Sequence, residues 1–101
     1  MTSEEYWLKV KEKFLKIEDV QKQGEALKIK KKMFAFPNEE NIVVKLPKER
    51  VTELLESGEG LPYDPGNGKI MKEWVTIPLA SLDKWIAYAN EGMKFALTLA
   101  K

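Results

Sequence analysis

Seven apolar residues recur at three-and-four spacing near the end of the chain: Leu82, Trp85, Ile86, Ala89, Met93, Ala96 and Leu97. A second stripe of Tyr88, Gly92, Phe95 and Leu99 lies about a third of a turn beside it. A helix apolar over this width has more to bury than one sheet can cover, so it needs a second element: a helix of the same chain, or a partner subunit. Ser81 stands where its N-cap belongs. Trp85 and Ile86, on the main stripe, are expected in the core. Tyr88, Phe95 and Leu99 are expected to lie under Tyr6, Val10 and Phe14 of an N-terminal helix, with Gly92 allowing close approach.

The remaining segments supply a sheet for that helix to cover. Thr2 and Glu5 have the form of a capping box, and Tyr6, Val10, Phe14 and Ile17 keep helical spacing, which predicts a first helix from about Ser3 to Lys16. After Gly24, Leu27 and Ile29 alternate with Lys28 and Lys30, the pattern of a strand with one dry and one wet, basic face. Lys32 to Phe36 and the β-branched Asn41 to Leu46 predict two more strands, turning through Pro37 to Glu40. Pro47 suits a first helical turn, Val51, Leu54 and Leu55 make one apolar face, and Gly58 is a C-terminal stop. Leu61 to Tyr63 and Lys69 to Ile77, around the turn-rich Asp64 to Gly68, predict a second hairpin closed by Pro78. The expected fold is α+β in two layers, α-β3-α-β2-α, with an antiparallel sheet and helices on one side, as a single domain over residues 1–101.

Composition sets what such a domain can do. The 101 residues are 44% hydrophobic and 33% charged, an ordinary globular balance. Seventeen basic and 16 acidic residues leave a formal charge of +1, so any attraction for a polyanion must come from local clustering. Cysteine and histidine are both absent. This excludes thiol and imidazole catalysis, disulfides and ordinary zinc sites. The polar, acidic start is unlike a secretory signal and no run reaches membrane-spanning length, so a cytoplasmic protein without membrane, metal or cofactor is expected.

Four constellations invite a chemical reading. Glu49, Glu53 and Glu56 fall among Lys48 and Arg50 at helical spacing, as on a solvated face, whereas a carboxylate pair for acid-base work would need a cleft and a desolvated member. The segment Asp64 to Lys69 has glycines but matches neither a Walker loop, with Tyr63 and Ile70 at the required positions, nor an EF-hand; it reads as a hairpin turn. Lys28, Lys30, Lys31 and Lys32 are the densest basic cluster, and Lys69 and Lys72 would add a second basic projection. These lysines either contact phosphates or solubilise a strand edge. Trp74, with Lys72 and Thr76 on one strand face, is either an anchor on the sheet or a stacking platform for bases.

Lys32-Met33-Phe34-Ala35, Val43-Val44-Lys45-Leu46-Pro47 with Arg50-Val51, Gly58 and Gly60, Asp64-Pro65-Gly66, Gly68, and Met71-Lys72-Glu73-Trp74-Val75 together resemble the small bacterial MmcQ/YjbR-like and TfoX N-terminal-like domains. The resemblance covers Lys32 to Phe95. It implies the α-β3-α-β2-α arrangement of a YjbR-like, secretion-chaperone-like fold and a noncatalytic DNA-binding role through two hairpin wings. The chain departs from the pattern in two places. Lys30-Lys31-Lys32 stands where relatives carry an Asn-Gly-Lys turn, and an upstream Phe-Gly element is missing. The expected nucleic-acid contacts are Lys28, Lys30, Lys31, Lys32, Lys69 and Lys72. The alternatives are a protein-interaction or homodimerisation module using the last helix and, third, an enzyme using only carboxylates and lysines.

Overall fold

The computed structural model describes residues 3–38, 40–63, 71–78 and 81–99. Helix α1 runs Ser3–Leu15; strands β1 Val20–Gln23, β2 Ala26–Ile29, β3 Lys32–Asn38 and β4 Asn41–Lys45 follow as a meander. Helix α2 (Lys48–Ser57), strands β5 (Leu61–Tyr63) and β6 (Met71–Ile77), and helix α3 (Leu82–Leu99) complete the chain. The six strands form one antiparallel sheet in the order β1-β2-β3-β4-β6-β5.

The α+β class, the antiparallel sheet and the helix layer agree with the sequence reading, but the meander has a fourth strand, β1. Only Val20 of its residues is buried, with Gln21, Lys22 and Gln23 exposed at the sheet edge, so no apolar alternation announces it. Its partner register and the two-residue Gly24-Glu25 turn, with Gly24 at φ 61, hold it in place. Both edges are guarded: β1 carries Lys22, and β5 is three residues long and holds Pro62.

One face of the sheet is dry. Leu27, Ile29, Phe34, Ala35, Ile42, Val44, Val75 and Ile77 from the strands join Trp7, Val10 and Phe14 of α1, Val51 and Leu54 of α2, and Trp85, Ala89, Met93 and Ala96 of α3 in a single core. Consecutive residues of a strand should face opposite ways, yet Phe34 and Ala35 are both buried there. The register explains it: Leu27 pairs with Ala35 and Lys28 with Met33, leaving Phe34 as the extra residue of a bulge. Its ring meets Phe14 of α1 edge-on, centroids 5.9 Å apart.

Helix α2 begins after Pro47 and ends on Gly58, whose φ of 83 gives the left-handed cap that lets its N–H reach the Leu55 carbonyl. In α3, the Ser81 hydroxyl accepts from the Lys84 N–H at 3.2 Å and Trp85 is fully buried, its indole N–H donating to the Pro78 carbonyl at 3.0 Å. Ile86 is only half-buried at the margin of the core.

The second stripe of α3 is covered only at Tyr88 and Gly92, and not as expected. The Tyr6 ring of α1 packs on Trp85, with centroids 5.5 Å apart. Tyr88 instead turns to α2: its hydroxyl donates to Glu59, and the Arg50 guanidinium lies 5.8 Å from its ring centroid. Arg50 grips Glu91 through both Nε (2.9 Å) and Nη2 (3.2 Å). Gly92 serves the sheet rather than α1, since a Cβ there would stand 3.0 Å from the backbone oxygens of both Lys45 and Phe34. Phe95 is half-buried and Leu99 is exposed. In α1, Ile17 falls beyond the helix and is exposed, while Trp7 takes the buried position beside Val10 and Phe14.

Candidate nucleic-acid interface

The basic turn is built by strand pairing. Ile29 pairs with Lys32, so Lys30 and Lys31 are the two turn residues between β2 and β3. Both have positive φ, 48 and 71, which is the pattern of a type I′ turn. That geometry favours Asn-Gly, and a side chain held there costs of order 1 kcal/mol or more. Lys30 and Lys31 are exposed, as is Lys32 at the start of β3; Lys30 reaches Asp19 at 3.9 Å, an exposed and therefore weak pair. Lys28 is half-buried between Gln21 and Met33.

Antiparallel pairing puts the second hairpin at the same end of the sheet. The chain leaves β5 at Tyr63 and enters β6 at Met71 on the side where β2 turns into β3 and β4 runs into α2. Lys72 is exposed there. Lys69 and the turn residues Asp64 to Gly68 lie outside the described residues. The sequence reading missed two further cations at this end. Lys45 was hidden in a β-branched run, and Lys48 follows Pro47 at the start of α2.

The helix-free face of the sheet is not simply wet. Phe36 pairs with Val43, Val43 with Thr76, and Lys45 with Trp74, so these side chains share the face opposite Val44 and Val75. Phe36 and Tyr63 reach toward each other across the intervening strands, centroids 5.6 Å apart and nearly perpendicular, and Phe36 meets Trp74 at 5.4 Å. On the same face as these rings Val43 is fully buried and Thr76 is 7% exposed, and Val43 is not part of the helix-side core. The three rings themselves stay half-exposed. Lys45 Nζ lies 4.9 Å from the Trp74 ring centroid, a cation-π contact. Where β6 bulges away from β5, Trp74 and Lys72 also line a cavity of about 220 Å³ that opens against α2, with Lys48, Val51, Thr52 and Leu55 on the helix and Pro62 on β5. The signal for a dry patch here was available: Ile42, Val43 and Val44 are apolar in succession, which a strand wet on one face would not be.

Elsewhere the polar chemistry is structural. Glu49, Glu53 and Glu56 are all exposed on α2. The Tyr88 hydroxyl and Lys84 hold the Glu59 carboxyl below its ordinary range, and burial first, then Glu59, pushes Tyr88 up to about 12. A cavity of about 490 Å³ opens between α1 and the opposite end of the sheet. Its wall carries the Lys11–Glu25 ion pair at 3.0 Å, and the buried Trp7 indole N–H has no hydrogen-bond partner. Lys11 holds Glu25 below the ordinary carboxylate range, with a lesser push from the Trp7 indole, which faces it outside hydrogen-bonding geometry.

Among the described residues no helix is long and apolar enough to cross a membrane, and no group of three or more acidic, His or Cys side chains is placed to hold a metal ion. No family model, no curated protein and no solved structure matches the chain.

Proposed function

We propose that this domain is a noncatalytic nucleic-acid-binding module that engages phosphates with the lysines gathered at one end of its sheet. The observation that carries the reading is the Lys30-Lys31 turn. Two lysines occupy left-handed positions where Asn-Gly would be unstrained, and backbone strain of this kind is tolerated most often where a side chain is needed for function. Lys28, Lys32 and Lys72, together with Lys45 and Lys48, extend the cationic end around it, and Lys69 belongs to the same proposal from the sequence. The small net charge limits long-range attraction, so contact must be made locally and must weaken with salt. The apolar width of α3 is largely taken up inside the fold by Trp85, Tyr88 and Gly92, and so lends no separate support to an interaction through that helix.

The test pits stability against binding. Lys30→Asn combined with Lys31→Gly should raise stability by about 1 kcal/mol by relieving the turn. It should also weaken nucleic-acid binding and flatten the log-log salt slope, roughly −3 for three or four duplex phosphate contacts, by about two units. A variant that gains stability and binds with an unchanged slope would show that the turn lysines serve only solubility.

A further inference from the structure

From the helix-free face we infer that the preferred ligand is single-stranded nucleic acid, with bases stacked on Phe36, Tyr63 and Trp74 and flanking phosphates held by Lys45, Lys48 and Lys72. This rests on the nucleic-acid reading above and narrows it. Three aromatic rings gather on the face of the sheet that carries Val43 and Thr76 and remain half-exposed. A surface of rings at mutual angles, open to solvent, suits unpaired bases, because every base has a π-face and stacking tolerates any sequence. A duplex keeps its bases stacked inside and would offer this face its backbone and groove edges but no open π-face.

Charge on the face selects the same partner. Strand pairing puts Lys28, Phe36, Val43, Lys45, Trp74 and Thr76 on this side, and none of these residues is acidic. Lys45 stands over the Trp74 ring, and Lys48 and Lys72 line, together with Trp74, the cavity between α2 and the β5–β6 bulge at the same end of the sheet. The Lys45 ammonium occupies a face of the indole in the free protein. A stacked base takes that face and leaves the ammonium beside the phosphate that follows it.

Anisotropy titration of the full chain with a labelled 15-mer oligothymidylate, and with a hairpin duplex of matched phosphate number, tests this at low salt. The single strand should bind at least about tenfold more tightly; Trp74→Leu and Tyr63→Leu should each lose about tenfold for the single strand and little for the duplex, and Trp74→Phe should retain most of the affinity. Unfolding midpoints identify the variants that remain folded. Tyr63→Leu and Trp74→Phe keep the question answerable if Trp74→Leu does not fold. Equal affinity for both ligands, with the leucine variants unimpaired and the lysine-dependent salt slope intact, overturns the stacking surface and leaves the nucleic-acid reading standing. Absence of binding to either ligand overturns both.

Discussion

The two faces of the sheet solve the same problem with different means. On the helix side, Ile42, Val44, Val75 and Ile77 are covered by three helices that contribute Trp7, Phe14, Leu54, Trp85 and Met93, and burial extends through a continuous core. On the other side Val43, between Ile42 and Val44, is just as thoroughly hidden, but by three half-exposed rings carried on strands β3, β5 and β6. Rings held only by their own strands and by one another can shift at less cost than side chains interlocked between a helix and a sheet. The helix side is therefore the rigid part of the molecule, and the ring-covered side the part that can change its contacts at least cost.

The sharpest way to break this contrast is to remove its strongest member. Trp85→Ala deletes a fully buried indole together with its hydrogen bond to Pro78, and it should cost about 3 to 5 kcal/mol in chemical denaturation, a large part of a small domain's stability. An unchanged midpoint would place the rigid part elsewhere. A finer comparison uses neighbours on opposite faces. Val44→Ala should cost about 2 kcal/mol and Val43→Ala about 1, because the rings above Val43 can settle into the space while the helix side cannot. Equal losses would mean that the outer rings pack as rigidly as the core.

The smallest effect is confined to the helix side and depends on pH. Tyr88 is neutral in the fold, and its pKa is raised from 10.0 to about 12. A group whose folded pKa is raised contributes stability that is complete below the unfolded value and lost as pH rises through the folded one. The contribution of Tyr88 should therefore be intact below pH 10 and disappear by about pH 12. Tyr88→Phe should lose stability at neutral pH and flatten the decline over that interval relative to the parent; parallel decline in both proteins would show that Tyr88 does not set the alkaline loss.

Much of this architecture could be read from local pattern. Pro47 and Gly58 bracket α2, Ser81 starts α3, and the two apolar stripes foretold a helix covered on more than one side. What escaped notice depends on distant pairing. β1 has one buried residue and exists because β2 offers it an edge. Tyr88 met α2 instead of α1 because the chain crosses from β4 through α2 before β5, a route that periodicity does not encode. Lys45 and Trp74 are far apart in sequence, and only the β4–β6 register stacks them. The lysine turn, by contrast, was visible as a sequence, but its strain was not, since lysine, unlike glycine or asparagine, gives no sign of a left-handed backbone.

The strand order also carries a kinetic consequence. Strands β1 to β4 are joined in succession by short turns, so their pairing closes only small loops and can proceed rapidly. Pairing of β4 with β6 must instead close a loop that contains all of α2 and β5, and the contact of α1 with α3 must bring together segments from opposite ends of the chain. Entropy postpones such closures, so the meander is expected to form the folding nucleus and α1 to dock last. In φ-value analysis, Leu27→Ala should slow folding while Val10→Ala mainly speeds unfolding; the reverse pattern would make docking of the terminal helices the nucleating event. A ligand seated over β4 and β6 would then bridge the early-forming and late-forming parts of the sheet, and binding should slow unfolding more than it speeds folding.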